Sequence, residues 1–315
     1  MIVRDADILE SILAGYPSAL AVANVALAAW PEHEKYLIKS FGQRSPETLD
    51  ATEEVAAAVL RLIAGAEKRF GEDYHWTCDR LREEEIYFHR EGRYRLSTFA
   101  EALAEVYSDH EYMRHYMGGL LLTQVLWFNH IATMDMFLRR VLYTMTEPFD
   151  YLEVGPGHGL MTYFAAKSEF SRSLEAWDVS SESLRQTRAA LDRLEVSKSI
   201  ALVETDILGG KLSPKRFDLV VISEVLEHLE TPSEALRFLR SAISGGGRIF
   251  INVPINSPSP DHLYLFSSPE DVIALIEDAG LHVNRMELYA TQGHAIEKAL
   301  ANRISVSAGV IALPR

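Results

Sequence analysis

The apolar positions change period once along the chain, at Thr146-Glu147-Pro148. Before that point they recur every three or four residues, the spacing of helices that bury one face. Residues 7–30 are rich in Ala and Leu and are punctuated by Pro17 and Pro31. Ser45-Pro46-Glu47 reads as a helix start, with Ser45 as N-cap and Pro46 at the first helical position, and the pattern predicts a helix to about Phe70. Residues 86–96 hold two β-prone segments around Arg90-Glu91-Gly92 and predict a hairpin, a small wing. Ser97-Thr98 caps a further helix, and residues 109–146 read as one long helical stretch. After Pro148, short apolar runs at 150–154, 174–177, 200–204, 218–222 and 248–253 alternate with helical patterns such as 181–194 and 231–243. This alternation predicts a parallel sheet covered on both faces, and residues 282–290 and 305–313 add two final strands that form an antiparallel hairpin. The expected organisation is an all-helical domain over residues 1–146 and an α/β domain over 147–315.

Composition narrows the function. Of 315 residues, 48% are apolar and 24% charged, the mix of a folded globular protein. Cys78 is the single cysteine, so no internal disulfide or cysteine-rich zinc site forms, and a reducing cytoplasmic setting is expected. Asp+Glu exceed Lys+Arg by 45 to 31, a net charge of −14. The excess is shared evenly, with 22 acids to 15 bases over residues 1–146 and 23 to 16 over residues 147–315. Neither half is a basic arm, which disfavours nucleic acid and anionic membranes as partners and favours a small or cationic ligand. Arg90, Arg93 and Arg95 make one basic spot, but beside Glu83, Glu84, Glu85 and Glu91 they read as a solvated face. The first residues carry Asp5, Asp7 and Glu10 without an apolar core, so no signal peptide is expected. The run from Tyr116 to Phe128 is too short to span a bilayer.

The densest chemical signal is Phe149-Asp-Tyr-Leu-Glu-Val-Gly-Pro-Gly-His-Gly-Leu160. An apolar strand runs into Gly155, Gly157 and Gly159, and a helix follows at once. Glycines so spaced let the backbone turn tightly and approach a ligand at the carboxyl edge of a parallel sheet. The spacing is G-x-G-x-G, not the G-x-G-x-x-G of the dinucleotide fingerprint, so a pyrophosphate ligand is disfavoured.

Glu153-Val-Gly-Pro-Gly-His-Gly159 resembles motif I of class I S-adenosylmethionine-dependent methyltransferases, and three further stretches match that superfamily in order and spacing. These are Ala176-Trp-Asp-Val-Ser-Ser181, Glu204-Thr-Asp-Ile207, and Phe217-Asp-Leu-Val-Val-Ile-Ser-Glu-Val-Leu-Glu-His-Leu229, with Gly245-Gly-Gly-Arg-Ile-Phe-Ile-Asn-Val-Pro254 resembling the fifth strand. The resemblance covers about residues 147–315. It implies a Rossmann-like sheet and S-adenosyl-L-methionine as cofactor. Glu153, Gly155, Gly157 and His158 would sit at its methionine end and Asp178 with Val179 at the ribose. Asp206 with Ile207 would meet the adenine, and Ser223 would line the fourth strand's edge. Carboxylates at strand ends suit a sulfonium cation and its amine and hydroxyl groups. Each also has a plainer reading: Asp178 and Asp206 as turn formers, Glu153 as a residue that orders the loop.

Glu224, Glu227 and His228 share one face if the segment is helical. The string is similar to the metal motif of ubiquinone-pathway O-methyltransferases and small-RNA 2′-O-methyltransferases, with His262 as a conceivable fourth ligand, and metal-free relatives carry it too. A structural or general-base role is favoured over a divalent metal, and no metal is assigned. Candidate catalytic groups are His228, Glu224, Tyr163 and Asn129. In the helical half Tyr112, Tyr116, Trp127 and His130, together with His262, are candidate substrate contacts; a buried core or homodimer interface is the plainer reading of the apolar helix they occupy. The expected activity is methyl transfer to a small molecule, in specialised metabolism. Two alternatives stay open: intramolecular cyclisation of the cofactor to azetidine-2-carboxylate and methylthioadenosine, and a non-catalytic partner that keeps the fold.

Overall fold

The structure, a computed structural model, describes residues 5–209 and 215–315. The described residues form two compact units, one of residues 5–135, 256–263 and 289–307, the other of residues 136–209, 215–255, 264–288 and 308–315.

The first unit is helical: α1 (Asp5–Ile12), α2 (Pro17–Ala29), α3 (Glu34–Gly42), α4 (Pro46–Ile63), α5 (Glu67–Glu91), α6 (Phe99–Ala102), α7 (His110–Leu126) and α8 (Phe128–Met136). Ser45 caps α4 by accepting the Thr48 N–H at 3.2 Å, with Pro46 in the first turn. The helix stops at Ile63, short of Phe70, where Gly65 turns the chain at φ +79° before α5. Thr98 and Glu101 form a reciprocal capping box.

The expected wing is absent, and α5 runs straight through Ile86, Tyr87 and Phe88. Its buried positions, Phe70, Tyr74, Thr77, Glu84 and Phe88, keep helical spacing across that segment. Gly92 ends the helix as a left-handed cap, φ +72°, its N–H on the Phe88 carbonyl at 2.8 Å. The glycine that suggested a hairpin turn is therefore a helix stop. The stretch 109–146 is also broken: Trp127 is extended (φ −96°, ψ +131°), and a π-helical turn, Phe137–Val141, follows α8.

From Tyr116 onward helix α7 is buried on nearly every side, through Tyr116, Leu121, Leu122, Val125 and Leu126 among others. Gly118 and Gly119 let it close on α5: a Cβ on Gly118 would strike the Asp73 carboxylate, and one on Gly119 would strike the Thr77 hydroxyl and lie 2.8 Å from the Asp73 carbonyl. Gly119→Ala is expected to destabilise the helical unit by about 1–3 kcal/mol, the cost of overpacking a rigid contact. Urea denaturation followed by circular dichroism checks this; an unchanged midpoint would show that the helices part freely.

The second unit carries most of a seven-stranded sheet in the order β3-β2-β1-β4-β5-β7-β6. The strands are β1 (Phe149–Val154), β2 (Ser171–Asp178), β3 (Ile200–Glu204), β4 (Phe217–Ser223), β5 (Ile243–Ile255), β6 (Leu281–Ala290) and β7 (Val306–Pro314). The helices between them are α9 (Leu160–Lys167), α10 (Ser181–Arg193), α11 (Pro232–Ala242) and α12 (Pro269–Asp278); α13 (Ile296–Ala301), before β7, belongs to the first unit. Strands β3, β2, β1, β4 and β5 pair in parallel, and the end of the sheet is antiparallel. All but one residue of β1 is buried, as expected of a strand covered on both faces. The register of β5 against β4 jumps from Phe217↔Ile243 to Leu219↔Arg248, and Gly245, Gly246 and Gly247 absorb the extra residues. Strand order reverses between β1 and β4, so the connections leaving their carboxyl ends diverge and open a crevice there.

Candidate functional site

Three left-handed glycines shape the loop at that crevice: Gly155 (φ +66°), Gly157 (φ +49°) and Gly159 (φ +70°). The Gly155 N–H binds the Trp177 carbonyl of β2 at 2.8 Å, and Thr187 of α10 donates its hydroxyl to the Gly157 carbonyl at 2.8 Å. The loop is thus held from two elements before any ligand arrives. A Cβ on Gly155 would lie 2.5 Å from Val225 Cγ2, and one on Gly159 3.3 Å from Leu191 and Thr187, whereas one on Gly157 would meet nothing within 4 Å. Gly157 therefore turns bare backbone toward open space. His158 is partly buried beside it.

Beneath the loop, Glu153 is 4% exposed. It accepts hydrogen bonds from Tyr151 (3.0 Å) and from Thr162 of α9. Burial pushes its carboxyl up to about 7, with the two hydroxyls opposing the rise. These contacts support the plainer reading, a residue that pins the strand to the helix. The raised value has a stability consequence. Between about pH 4.5 and 7 the folded chain keeps a proton that the unfolded chain releases, so stability falls as pH rises through this window and the full cost is present above it. Glu153→Gln removes that cost. The mutant's stability relative to wild type is expected to rise by about 1–3 kcal/mol from pH 4.5 to 7.5, as measured by urea titrations at both pH values. A pH-independent difference would show that Glu153 does not change charge on folding.

At the carboxyl end of β2, Asp178 is partly exposed. Its Oδ1 accepts the Ser180 N–H (2.9 Å) and its Oδ2 the Ser183 hydroxyl (2.7 Å). Its neighbour Val179 is 57% exposed, a bare aliphatic surface beside an acid. After β3, Asp206 is exposed and accepts the Leu208 N–H at 2.8 Å, while Ile207 is buried. Both aspartates therefore act as turn formers, each with exposed carboxylate surface left over.

The end of β4 differs from the helical-face expectation. Glu224 has φ +53°, a strained value for a residue with a side chain, and only a single 3₁₀ turn, Leu226–His228, follows it. The spacing of Glu224, Glu227 and His228 is therefore not that of three ligands on one helix. Instead Asn252 of β5 binds both Ser223 Oγ (3.1 Å) and Glu224 Oε1 (2.8 Å) through its amide, and the Glu224 N–H binds the Asn252 carbonyl (3.0 Å). Burial pushes the Glu224 carboxyl up to about 7, opposed by its bonds to Asn252 and Glu227. Glu227 is fully buried, 3.8 Å from His228 Nε2. Tyr163 packs edge-on to Phe164 at 5.1 Å with the Lys167 ammonium 5.4 Å from its ring.

The remaining candidates lie in the helical unit, each with structural partners. Tyr116 donates its hydroxyl to Asp261 at 3.0 Å and shares a second hydrogen bond with the Ser259 hydroxyl. Tyr112 stands edge-on to Trp76 at 4.8 Å. Trp127 donates to the Tyr74 hydroxyl at 3.0 Å. His130 binds Thr123 at 2.9 Å, and burial lowers its pKa to about 4, so it is neutral. Asn129 donates to Ser307 at 3.0 Å, and His262 Nδ1 lies 2.7 Å from the Ser257 carbonyl. Asn252, Thr162 and Thr187 were not legible as site residues, because each reaches the loop or the β4 end from a distant element and carries no local motif.

Residues 152–249 match the family model described as a methyltransferase domain. Among curated proteins, the mitochondrial ubiquinone biosynthesis O-methyltransferase of Candida albicans is 25% identical over 118 residues, 38% of this chain and 36% of that protein. The ubiquinone biosynthesis O-methyltransferase of Serratia proteamaculans (strain 568) is 26% identical over 102 residues, 32% of this chain and 41% of that protein. The matches thus span about two fifths of those relatives. Among solved structures, the mitomycin 7-O-methyltransferase MmcR superposes with a TM-score of 0.53 at 13% identity, covering 83% of this chain and 75% of that one, which bears on the fold alone. The glycine loop, the strand order and the family match fall in one register: residues 152–249 are a methyltransferase domain, and the sheet unit is similar to the class I S-adenosylmethionine-dependent methyltransferase superfamily.

Proposed function

We propose that this protein is an S-adenosylmethionine-dependent methyltransferase acting on a small molecule, in specialised metabolism. The observation that carries the reading is the open side of Gly157 between a loop anchored from two elements and the acids at the ends of β2 and β3. When bound, S-adenosylmethionine supplies an electrophilic methyl group on a cationic sulfur. The chain's task is to hold that group in line with the acceptor, where positioning contributes several kcal/mol. Asp178 would take the ribose hydroxyls on its exposed face, Asp206 the adenine amine, and the bare backbone at Gly157 and His158 the methionine end. Glu224 is the proton carrier best supported among the candidate bases, since it directly follows β4 and burial raises its carboxyl to about 7. The oxygen-directed names of the matched relatives favour a hydroxyl acceptor. Divalent metal at Glu224, Glu227 and His228 is not required by this reading.

A cytoplasmic setting fits the lone Cys78. No helix among the described residues is long and apolar enough to cross a membrane. The apolar run of α7 is accounted for by burial inside the helical unit, so a homodimer would use other surface.

Calorimetry with S-adenosylmethionine and adenosylhomocysteine tests the cofactor, and absence of binding to both overturns the reading. Turnover is then followed by mass spectrometry with a pool of phenols and alcohols, with and without EDTA. Adenosylhomocysteine formed only when an acceptor is present supports methyl transfer. Methylthioadenosine formed from cofactor alone would identify cyclisation instead, and loss of turnover in EDTA would assign a metal.

A further inference from the structure

Strand β6 closes one edge of the sheet, with β7 as its neighbour and no strand beyond it among the described residues. It is ten residues long, Leu281-His-Val-Asn-Arg-Met-Glu-Leu-Tyr-Ala290. Leu281 and Ala290 are buried, whereas every residue between them keeps exposed surface, so neither face of the strand is fully covered. An edge strand leaves backbone N–H and C=O groups unpaired, and proteins blunt that template by shortening the strand or placing proline or lysine on it. The opposite edge, β3, is blunted by its length of five residues. Strand β6 is long and carries neither proline nor lysine.

The side chains of β6 match a second β6 running the other way. Val283, Arg285, Glu287 and Tyr289 share one face, by the two-residue period of a strand. They read apolar, basic, acidic, apolar. Turned about a two-fold axis at Met286, the series meets itself: Val283 faces the partner's Tyr289, and Arg285 faces the partner's Glu287, each twice over. Aromatic with β-branched and base with acid are combinations favoured across antiparallel strands. Moving the axis to Arg285 or to Glu287 would set like charges directly opposite. Within one copy Arg285 Nε lies 2.5 Å from Glu287 Oε1, so the pairing completes a square of alternating charge. The net charge of −14 repels like copies elsewhere, and β6 offers a strip on which base and acid balance.

We infer that two copies of this chain join edge to edge through β6, antiparallel and centred on Met286, so that their sheets run on as one. The contact is isologous: each copy presents the same strand, both edges are used up, and the assembly closes as a dimer. This interface does not depend on what the sheet unit binds.

The test follows the full-length protein by sedimentation, where the wild type is expected to run as a dimer at micromolar concentration. Glu287→Arg and Arg285→Glu each gather four like charges at the contact, and each alone is expected to weaken dimerisation by about tenfold or more. Mixed in equal amounts the two variants complement each other, and a heterodimer of wild-type affinity is expected. Circular dichroism checks that both are folded. A second arm leaves the charges intact. Met286→Cys is expected to cross-link to its own counterpart through a short bismaleimide, because the axis sets that position beside itself. Asn284→Cys, which this register places opposite the partner's Leu288, is expected not to. Peptide mapping identifies the linked residues. A wild-type monomer at that concentration, a dimer that survives either charge substitution, a mixture that stays monomeric, or linkage through Asn284→Cys and not Met286→Cys overturns the inference.

Discussion

Gly155→Ala is expected to destabilise the sheet unit by about 2–5 kcal/mol and to abolish measurable adenosylhomocysteine binding. Two separate costs add here. The left-handed backbone at φ +66° penalises any side chain by about 1–2 kcal/mol. The new methyl group would also sit 2.5 Å from Val225 Cγ2, an overpacking that costs about 1–3 kcal/mol. Gly157→Ala separates structure from function. Its Cβ would meet no protein atom, so only the backbone cost of about 1 kcal/mol applies and the fold survives. Cofactor affinity should still fall at least tenfold, because the proposed function gives the space the methyl group enters to the ligand. Urea melts paired with calorimetry read both quantities. Unchanged affinity in a folded Gly157→Ala protein would place the ligand elsewhere.

Asp178→Ala is the second large effect, a loss of cofactor affinity of about 10²-fold. The turn it forms, through Ser180 N–H and Ser183 Oγ, contributes about 1 kcal/mol to stability. Hydrogen bonds from ribose hydroxyls to a carboxylate contribute about 1.5–3 kcal/mol each, which sets the larger loss in binding. Asp178→Asn keeps an acceptor for the turn and removes the charge, and it is expected to lose affinity with little change in melting. A fall of less than threefold in both variants, with the stability loss present, would leave Asp178 as a turn former only.

The elements that local pattern predicted best are those with a local cause. The strand before Gly155, the Ser45 cap and the cap at Thr98 are set by neighbours in sequence, and they form as read. The wing failed for the opposite reason. Ile86, Tyr87 and Phe88 prefer strands in isolation, but burying Phe88 in line with Tyr74 and Glu84 keeps α5 helical to Gly92. The Glu224–His228 segment failed similarly: helical spacing assumed a helix, and the hydrogen bonds from Asn252 hold Glu224 in a left-handed turn instead.

What the amino-acid order determined by itself is the α/β class of the second half, the glycine turn and the register of acids after successive strands, because period and glycine spacing are properties of adjacent residues. Tertiary structure alone decided the rest. Thr187, Thr162 and Asn252 brace the crevice, and Asp73 meets His115, because sheet order and a glycine-tight helix contact join residues from 9 to 42 positions apart. No local preference encodes such pairings, since the energy that makes them arises only when the elements pack.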